Sequence, residues 1–227
     1  MVHQMTRLLD REECVLRSLT VHFCLPLNPV DSVVTAEAVR IGRSVAHMRS
    51  EVQQAGEVVA YSSASFGAPR DVEIQWQEPV MPSLRPAASL PPVSIPHVGG
   101  PRFAQFFDYR FGGERLPMTG GDTAMLRTWI RPSDRAVVDT PLAVGMLDAM
   151  VPAILCRLTA PRMMASVDFR IQLFTPFPLV DVDPNDHWLL DAHARIVDDG
   201  YSEQITWLYT PTGQLVGSCQ QLIAILS

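Results

Sequence analysis

Lysine is absent from this chain of 227 residues, so all 18 of its basic side chains are arginine. Without lysine there can be no Schiff base and no lysine nucleophile, and those reaction classes drop out at once. Cysteine is scarce and scattered. Cys14, Cys24, Cys156 and Cys219 have no paired spacing, so neither a zinc knuckle nor a CxxC redox site can be drawn from them. They read as free thiols of a reducing cytoplasm. The six histidines, His3, His22, His47, His97, His187 and His193, form no HExxH or other close ligand pattern, and no metal is expected. Also missing are a Walker loop, a GxGxxG turn and a GxSxG elbow, since Gly217-Ser218-Cys219 fails that last pattern. Met1-Val2-His3-Gln4 leads into no apolar core, so no signal peptide is expected. The net charge of −6 argues against a general nucleic-acid partner.

What is present is length enough for a real core, and one stretch that dominates it. Residues 140–157, TPLAVGMLDAMVPAILCR, are almost wholly apolar and long enough for four or five turns of helix buried on nearly all sides. Asp148, Gly145 and two prolines interrupt it, so it is not expected to cross a membrane. Asp139 or Thr140 can cap its start, with Pro141 in the first turn, where a missing N–H costs nothing. Pro152 cannot donate to the carbonyl of Asp148, so the helix should kink or restart just beyond that residue. A carboxylate inside an apolar helix must be paired, hydrogen-bonded or protonated. Asp148 is therefore either a structural residue or an acid kept for chemistry.

The remainder reads as long strands. Residues 4–13 can form a short charged helix; strands are then expected at 15–27, 32–41, 44–54 and 57–66, with turns at Gly42 and Ala55-Gly56. Seven prolines between 79 and 101 mark an extended linker on the surface. Two strands follow, at 106–111 and 124–131, then the apolar helix, then strands at 164–174, 187–197, 201–209 and 214–226. The run 181–186, DVDPND, lacks the glycine and distal Glu of a calcium loop and is a turn. The halves resemble each other: Ser18-Leu19-Thr20-Val21-His22-Phe23 parallels Ser166-Val167-Asp168-Phe169-Arg170-Ile171, and Gly56-Glu57-Val58-Val59-Ala60 parallels Gly213-Gln214-Leu215-Val216-Gly217. This divides the chain into an incomplete repeat at 1–78, a linker at 79–105 and a complete repeat at 106–227. The first repeat lacks the leading pair of strands and most of its helix.

Two strands, a long apolar helix and four antiparallel strands wrapping it make an α+β hot-dog arrangement. Duplicated in this way, the chain resembles the double hot-dog acyl-CoA thioesterase II (TesB-like) family. The residues that carry the resemblance are Arg17 through Phe23, Gly42-Arg43-Ser44, Trp129-Ile130-Arg131, Leu147-Asp148-Ala149, Ser166-Val167-Asp168 through Pro176, and Leu215-Val216 through Gln221. The resemblance implies hydrolysis of acyl-CoA to a fatty acid and CoA, without cofactor, by a water held among an Asp, a hydroxyl residue and a Gln. Carried over by position these are Asp148, Ser166 (where the family commonly has Thr) and Gln221. Such chemistry needs only an oriented water, a base and a stabilised oxyanion, because a thioester carbonyl is already activated. Arg43, Arg127 and Arg131 are candidate contacts for the CoA phosphates.

Three features leave alternatives open. Gln220 faces the opposite way from Gln221 and competes with it. Ser166 alternates with Asp168, Arg170 and Gln172, a polar set that would be solvated unless the pleat is irregular there. Cys219 shares a face with Gln221 and is a conceivable thiol nucleophile. A hydratase or dehydratase acting on enoyl-CoA, for which His193 is the mid-strand candidate, and a catalytically silent acyl-binding module are the other functions considered. A sheet lacking one helix would leave an apolar face bare, so a homo-oligomer is expected.

Overall fold

The computed structural model describes residues 1–226. Helix α1 (Val2–Leu9) puts Val2, Met5 and Leu9 on one stripe and ends where Asp10 turns left-handed. It starts earlier and is shorter than the expected 4–13, because the apolar spacing that can be buried runs from Val2 to Leu9. Strands β1 (Val15–Phe23), β2 (Val33–Ile41), β3 (Val45–Gln54) and β4 (Glu57–Gly67) complete the first half. The second half holds β5 (Phe107–Phe111), β6 (Met125–Pro132), α2 (Thr140–Asp148), β7 (Met164–Leu173), β8 (Trp188–Asp198), β9 (Tyr201–Tyr209) and β10 (Leu215–Ile225). Two hairpins close through paired positive φ angles, Ala55 with Gly56 and Asp199 with Gly200, the backbone that a two-residue turn between twisted strands requires.

All the strands join one antiparallel sheet in the order β2-β3-β4-β1-β7-β10-β9-β8-β6-β5. The halves meet at β1 and β7, where Thr20 lies opposite Arg170 and His22 opposite Asp168. The offset that aligns Ser18 with Ser166 exchanges these two pairs, so the seam has the register of a local two-fold axis. The inner face of the sheet wraps the apolar core around α2, with Ala143, Met146 and Leu147 buried. This is the long sheet on a central helix that the duplicated pattern implies.

Two expectations change. The inner face of the first half is not bare: α1 packs on β2 and β3, and Ala46, Met48 and Phe66 beneath that half are buried to 1 % exposure or less. The proline segment is more than a surface spacer. It carries three 3-10 turns (Ala87–Ser89, Pro96–Val98 and Arg102–Phe106) and buries Leu90 and Ile95. Leu90, with Met81, Leu84 and Ala87, covers an apolar patch of Trp129, Leu189 and Tyr209 on the outer side of the sheet. The Trp129 indole donates to the carbonyl of Arg85 over 3.0 Å. Burying one leucine side chain contributes about 1.5–3 kcal/mol, enough to hold a segment whose prolines have already reduced its conformational freedom.

The apolar stretch 140–157 is interrupted where Pro152 requires it. Asp139 caps α2 by accepting the Leu142 amide at 2.8 Å, and the helix ends at Asp148. After four residues a 3-10 turn, Ala153–Arg157, resumes. Over 18 residues the mean hydropathy of 1.3 would suit a membrane span, but α2 itself is nine residues long and packs within the sheet.

Candidate active site

Register decides which side chains can meet α2. On β10, Cys219 and Gln221 lie on the inner face, opposite Thr206 and Gln204 of β9, whereas Gln220 points outward and is exposed. Of the two glutamines the inner one is Gln221, 6 % exposed.

Ser166 is the informative case. Strict alternation would put it on the outer face with Asp168 and Arg170. Between β7 and β10, however, Leu222 pairs with Asp168 and Ile223 with Ser166, so Val167 is an extra residue in β7. This β-bulge turns everything before it to the other face. Ser166 consequently lies with Ile223 and Gln221 on the inner side, and the Gln221 side-chain amide donates to its hydroxyl over 2.5 Å. The Asp168 carboxylate, left outside, accepts the Leu222 amide at 3.3 Å and clasps the bulge.

Asp148 occupies the last turn of α2 above these strands. It forms no ion pair and no side-chain hydrogen bond among the described residues, despite the chain's 18 arginines. Burial alone pushes its carboxyl up to about 6. Its charge is felt by two groups nearby, the Tyr109 hydroxyl and the Cys219 thiol, both of which are pushed up first by burial and then by that carboxylate. A thiol kept in its protonated form is a poor nucleophile.

The break after Asp148 has a defined hydrogen-bond pattern. A continuous helix would join the Ala153 amide to the Ala149 carbonyl. Here the Tyr109 hydroxyl donates to the Ala149 carbonyl over 3.0 Å, and the Ala153 amide donates to the Gln204 side-chain oxygen over 2.6 Å. The Met150 and Val151 amides have no acceptor among the described residues. Gln204 and Tyr109 were not singled out from sequence. The available signal was parity: in β9, Ser202, Gln204 and Thr206 share the alternation of buried Leu208, so a glutamine sits where an apolar residue would be ordinary.

The arginine candidates are not gathered at this site. Arg127 pairs with Asp191 at 3.2 Å on the outer face, and Arg131 holds Asp108 at 2.9 Å and the Asn185 carbonyl at 2.7 Å. Arg43 is exposed at the β2–β3 turn, and its carbonyl accepts Arg11. His193 is outside as well, bound to Asp191 at 3.0 Å, and His187 lies beside Asp108. No cluster of three or more metal-ligating side chains occurs among the described residues.

The comparisons with known proteins agree with this architecture. The acyl-CoA thioesterase C-terminal domain family matches residues 82–225, and the acyl-CoA thioesterase N-terminal domain family matches residues 1–67. Among curated proteins no relative matches by sequence. A conserved hot-dog-fold protein of unknown function from Alicyclobacillus acidocaldarius superposes with a TM-score of 0.84 at 24% identity, covering 100% of this chain and 85% of that one. A tesB protein from Mycobacterium avium gives 0.74 at 18%, covering 100% and 84%. An acyl-CoA thioesterase II from Mycobacterium marinum gives 0.74 at 20%, covering 95% and 82%. At these identities the solved structures speak for the fold alone.

Proposed function

Because this chain belongs to the acyl-CoA thioesterase family and is on that ground a thioester hydrolase, we propose that it cleaves acyl-CoA with a water held among Asp148, Gln221 and Ser166. The observation that carries the reading is the unpaired carboxylate of Asp148, whose charge reaches Cys219 on the inner face of β10, the face that also carries the bonded Gln221–Ser166 pair. Asp148 acts as general base. With a carboxyl pushed up to about 6, it is ionised at neutral pH yet basic enough to take a proton from water as that water attacks the carbonyl. Gln221 spends one amide proton on Ser166, which orients the hydroxyl and leaves the amide oxygen free to accept from the water. The Met150 and Val151 amides, freed by the helix break, are the donors assigned to the oxyanion. The tetrahedral intermediate then expels the CoA thiolate and leaves the fatty acid.

A hydratase would need a histidine beside the acid. His193 is bound to Asp191 and His187 lies beside Asp108, so no observation favours that reading. The test is release of free thiol from a series of acyl-CoAs by the wild type and by Asp148→Ala. Thiol release that is lost in the variant supports the proposal. Undiminished release by Asp148→Ala would refute it, and binding without turnover by the wild type would point to the silent module.

A further inference from the structure

Two side chains that no catalytic role has claimed reach the same break in the apolar helix, one from the edge strand β5 and one from β9 in the interior of the sheet. Tyr109, on β5, is 1 % exposed and its hydroxyl donates to the Ala149 carbonyl over 3.0 Å. Gln204, on β9, is also 1 % exposed and its amide oxygen accepts the Ala153 amide over 2.6 Å, while its nitrogen donates to the Thr206 hydroxyl over 3.3 Å. The carbonyl and the amide that they take are the two partners of a single missing helical bond. Burying a polar side chain against an apolar helix costs free energy unless it is bonded, so both residues are satisfied only while the break stays open. The break also determines where the catalytic parts sit: Asp148 is the residue before Ala149, and Met150 and Val151 lie between the two held groups.

We propose that Tyr109 and Gln204 are positioning residues for thioester hydrolysis, a two-armed clamp that holds the Ala149–Ala153 segment unwound and so fixes the direction of the Asp148 carboxylate and of the Met150 and Val151 amides. Pro152 explains why the helix is weakened here, because it removes the bond to Asp148, but it leaves the Ala153-to-Ala149 bond free to form. The clamp is what replaces that second bond. Gln204 lies directly across from Gln221, so one cross-strand pair of glutamines serves both sides of the site: Gln221 the hydroxyl, Gln204 the backbone. The role rests on the assignment of Asp148 as base, and it predicts defects in turnover instead of in substrate binding.

Tyr109→Phe removes one oxygen and keeps the ring, so it tests the clamp with little risk to folding. Gln204→Leu removes both polar atoms at similar volume, and Gln204→Glu keeps the acceptor. Expected for Tyr109→Phe and Gln204→Leu is a fall in kcat of about 10- to 100-fold with KM nearly unchanged, the scale of a misplaced reacting group. Gln204→Glu should recover part of that kcat, and its acid limb should move to higher pH because a second carboxylate near Asp148 opposes its ionisation. In the double variant Tyr109→Phe/Gln204→Leu the losses should be less than multiplicative, since both act on one segment. Amide exchange at Ala153 should quicken in Gln204→Leu, a readout independent of activity. Folded single variants with wild-type kcat, or losses that multiply fully with Ala153 protection unchanged, would overturn the clamp. If Asp148→Ala retains activity, the reading beneath it fails instead, and the two failures are told apart by that one variant.

Discussion

At the scale of single residues, the proposed chemistry turns on a carboxylate that has no ion-pair partner among the described residues. The Asp148 carboxyl is pushed by burial up to about 6 from an ordinary value near 3.8. Two consequences follow, with opposite signs. As a base it must be ionised, so kcat/KM should fall as pH drops through about 6, and a rate profile over pH 4–9 checks this. As a buried acid it destabilises the fold when charged. A folded-state value raised above the unfolded one means that the carboxyl's favourable contribution is present at low pH and lost as pH rises through about 6. Asp148→Asn should therefore reduce kcat by about 10²–10⁴-fold. The same variant should be the more stable protein at pH 8, by roughly 2–3 kcal/mol from the size of that shift, with the advantage vanishing near pH 4. Thermal unfolding of both proteins at the two pH values decides it, and a variant less stable at pH 8 would contradict the placement of the acid. Gln221→Ala should lower kcat by roughly 100-fold through loss of the oriented acceptor for the water. Ser166→Ala should cost less, since the glutamine amide remains to hold the water.

Elements add what residue identity cannot. The stretch 140–157 was legible as an apolar helix with a fault after Asp148, because proline chemistry is local. The partners of the fault were not legible, because Tyr109 is 40 residues from Ala149 and Gln204 is 51 from Ala153. Pro152→Ala tests the element directly. It permits the helix to run on and draws the Ala153 amide toward Ala149, so kcat should fall while stability is kept or gained, by up to about 3 kcal/mol, as read by circular dichroism and thermal unfolding. The bulge in β7 is the second such device. Sequence parity sent Ser166 to the solvent side, and one inserted residue, Val167, reversed it. Asp168→Ala removes the acceptor of the Leu222 amide and should cost about 1 kcal/mol with a disproportionate loss of kcat, whereas Asp168→Asn keeps an oxygen there and should be mild.

At the scale of the whole molecule, the two halves form one sheet and not two bodies joined by a tether. Leu19 and Val21 of β1 pair with Ile171 and Phe169 of β7 across the seam, all four buried. The proline segment is fastened over Trp129 and Tyr209. Unfolding should accordingly be a single cooperative transition, with calorimetric and van't Hoff enthalpies that agree. Two resolved transitions would mean that the seam is weaker than its burial implies. At the far edge, β2 leaves Val33, Val39 and Ile41 exposed, but a bulge at Val39 and the Arg49–Glu37 ion pair make it a poor template for strand addition.

Sequence alone determined the number and order of the strands, the duplicated pattern, the capped apolar helix and its interruption. Each depends on contacts a few residues apart or on side-chain periodicity, which a single chain displays directly. It also named Asp148, Gln221 and Ser166 as residues to consider. Tertiary structure decided which of them face one another, because facing depends on register, and register shifts by a residue at each bulge. It alone decided that the acid has no arginine partner among the described residues, that Arg127 and Arg131 are engaged by carboxylates elsewhere, and that a tyrosine and a glutamine from distant strands take up the bond the helix gives up. Those facts are set by long-range packing, where a free carboxylate and a paired one come from the same letter in the sequence.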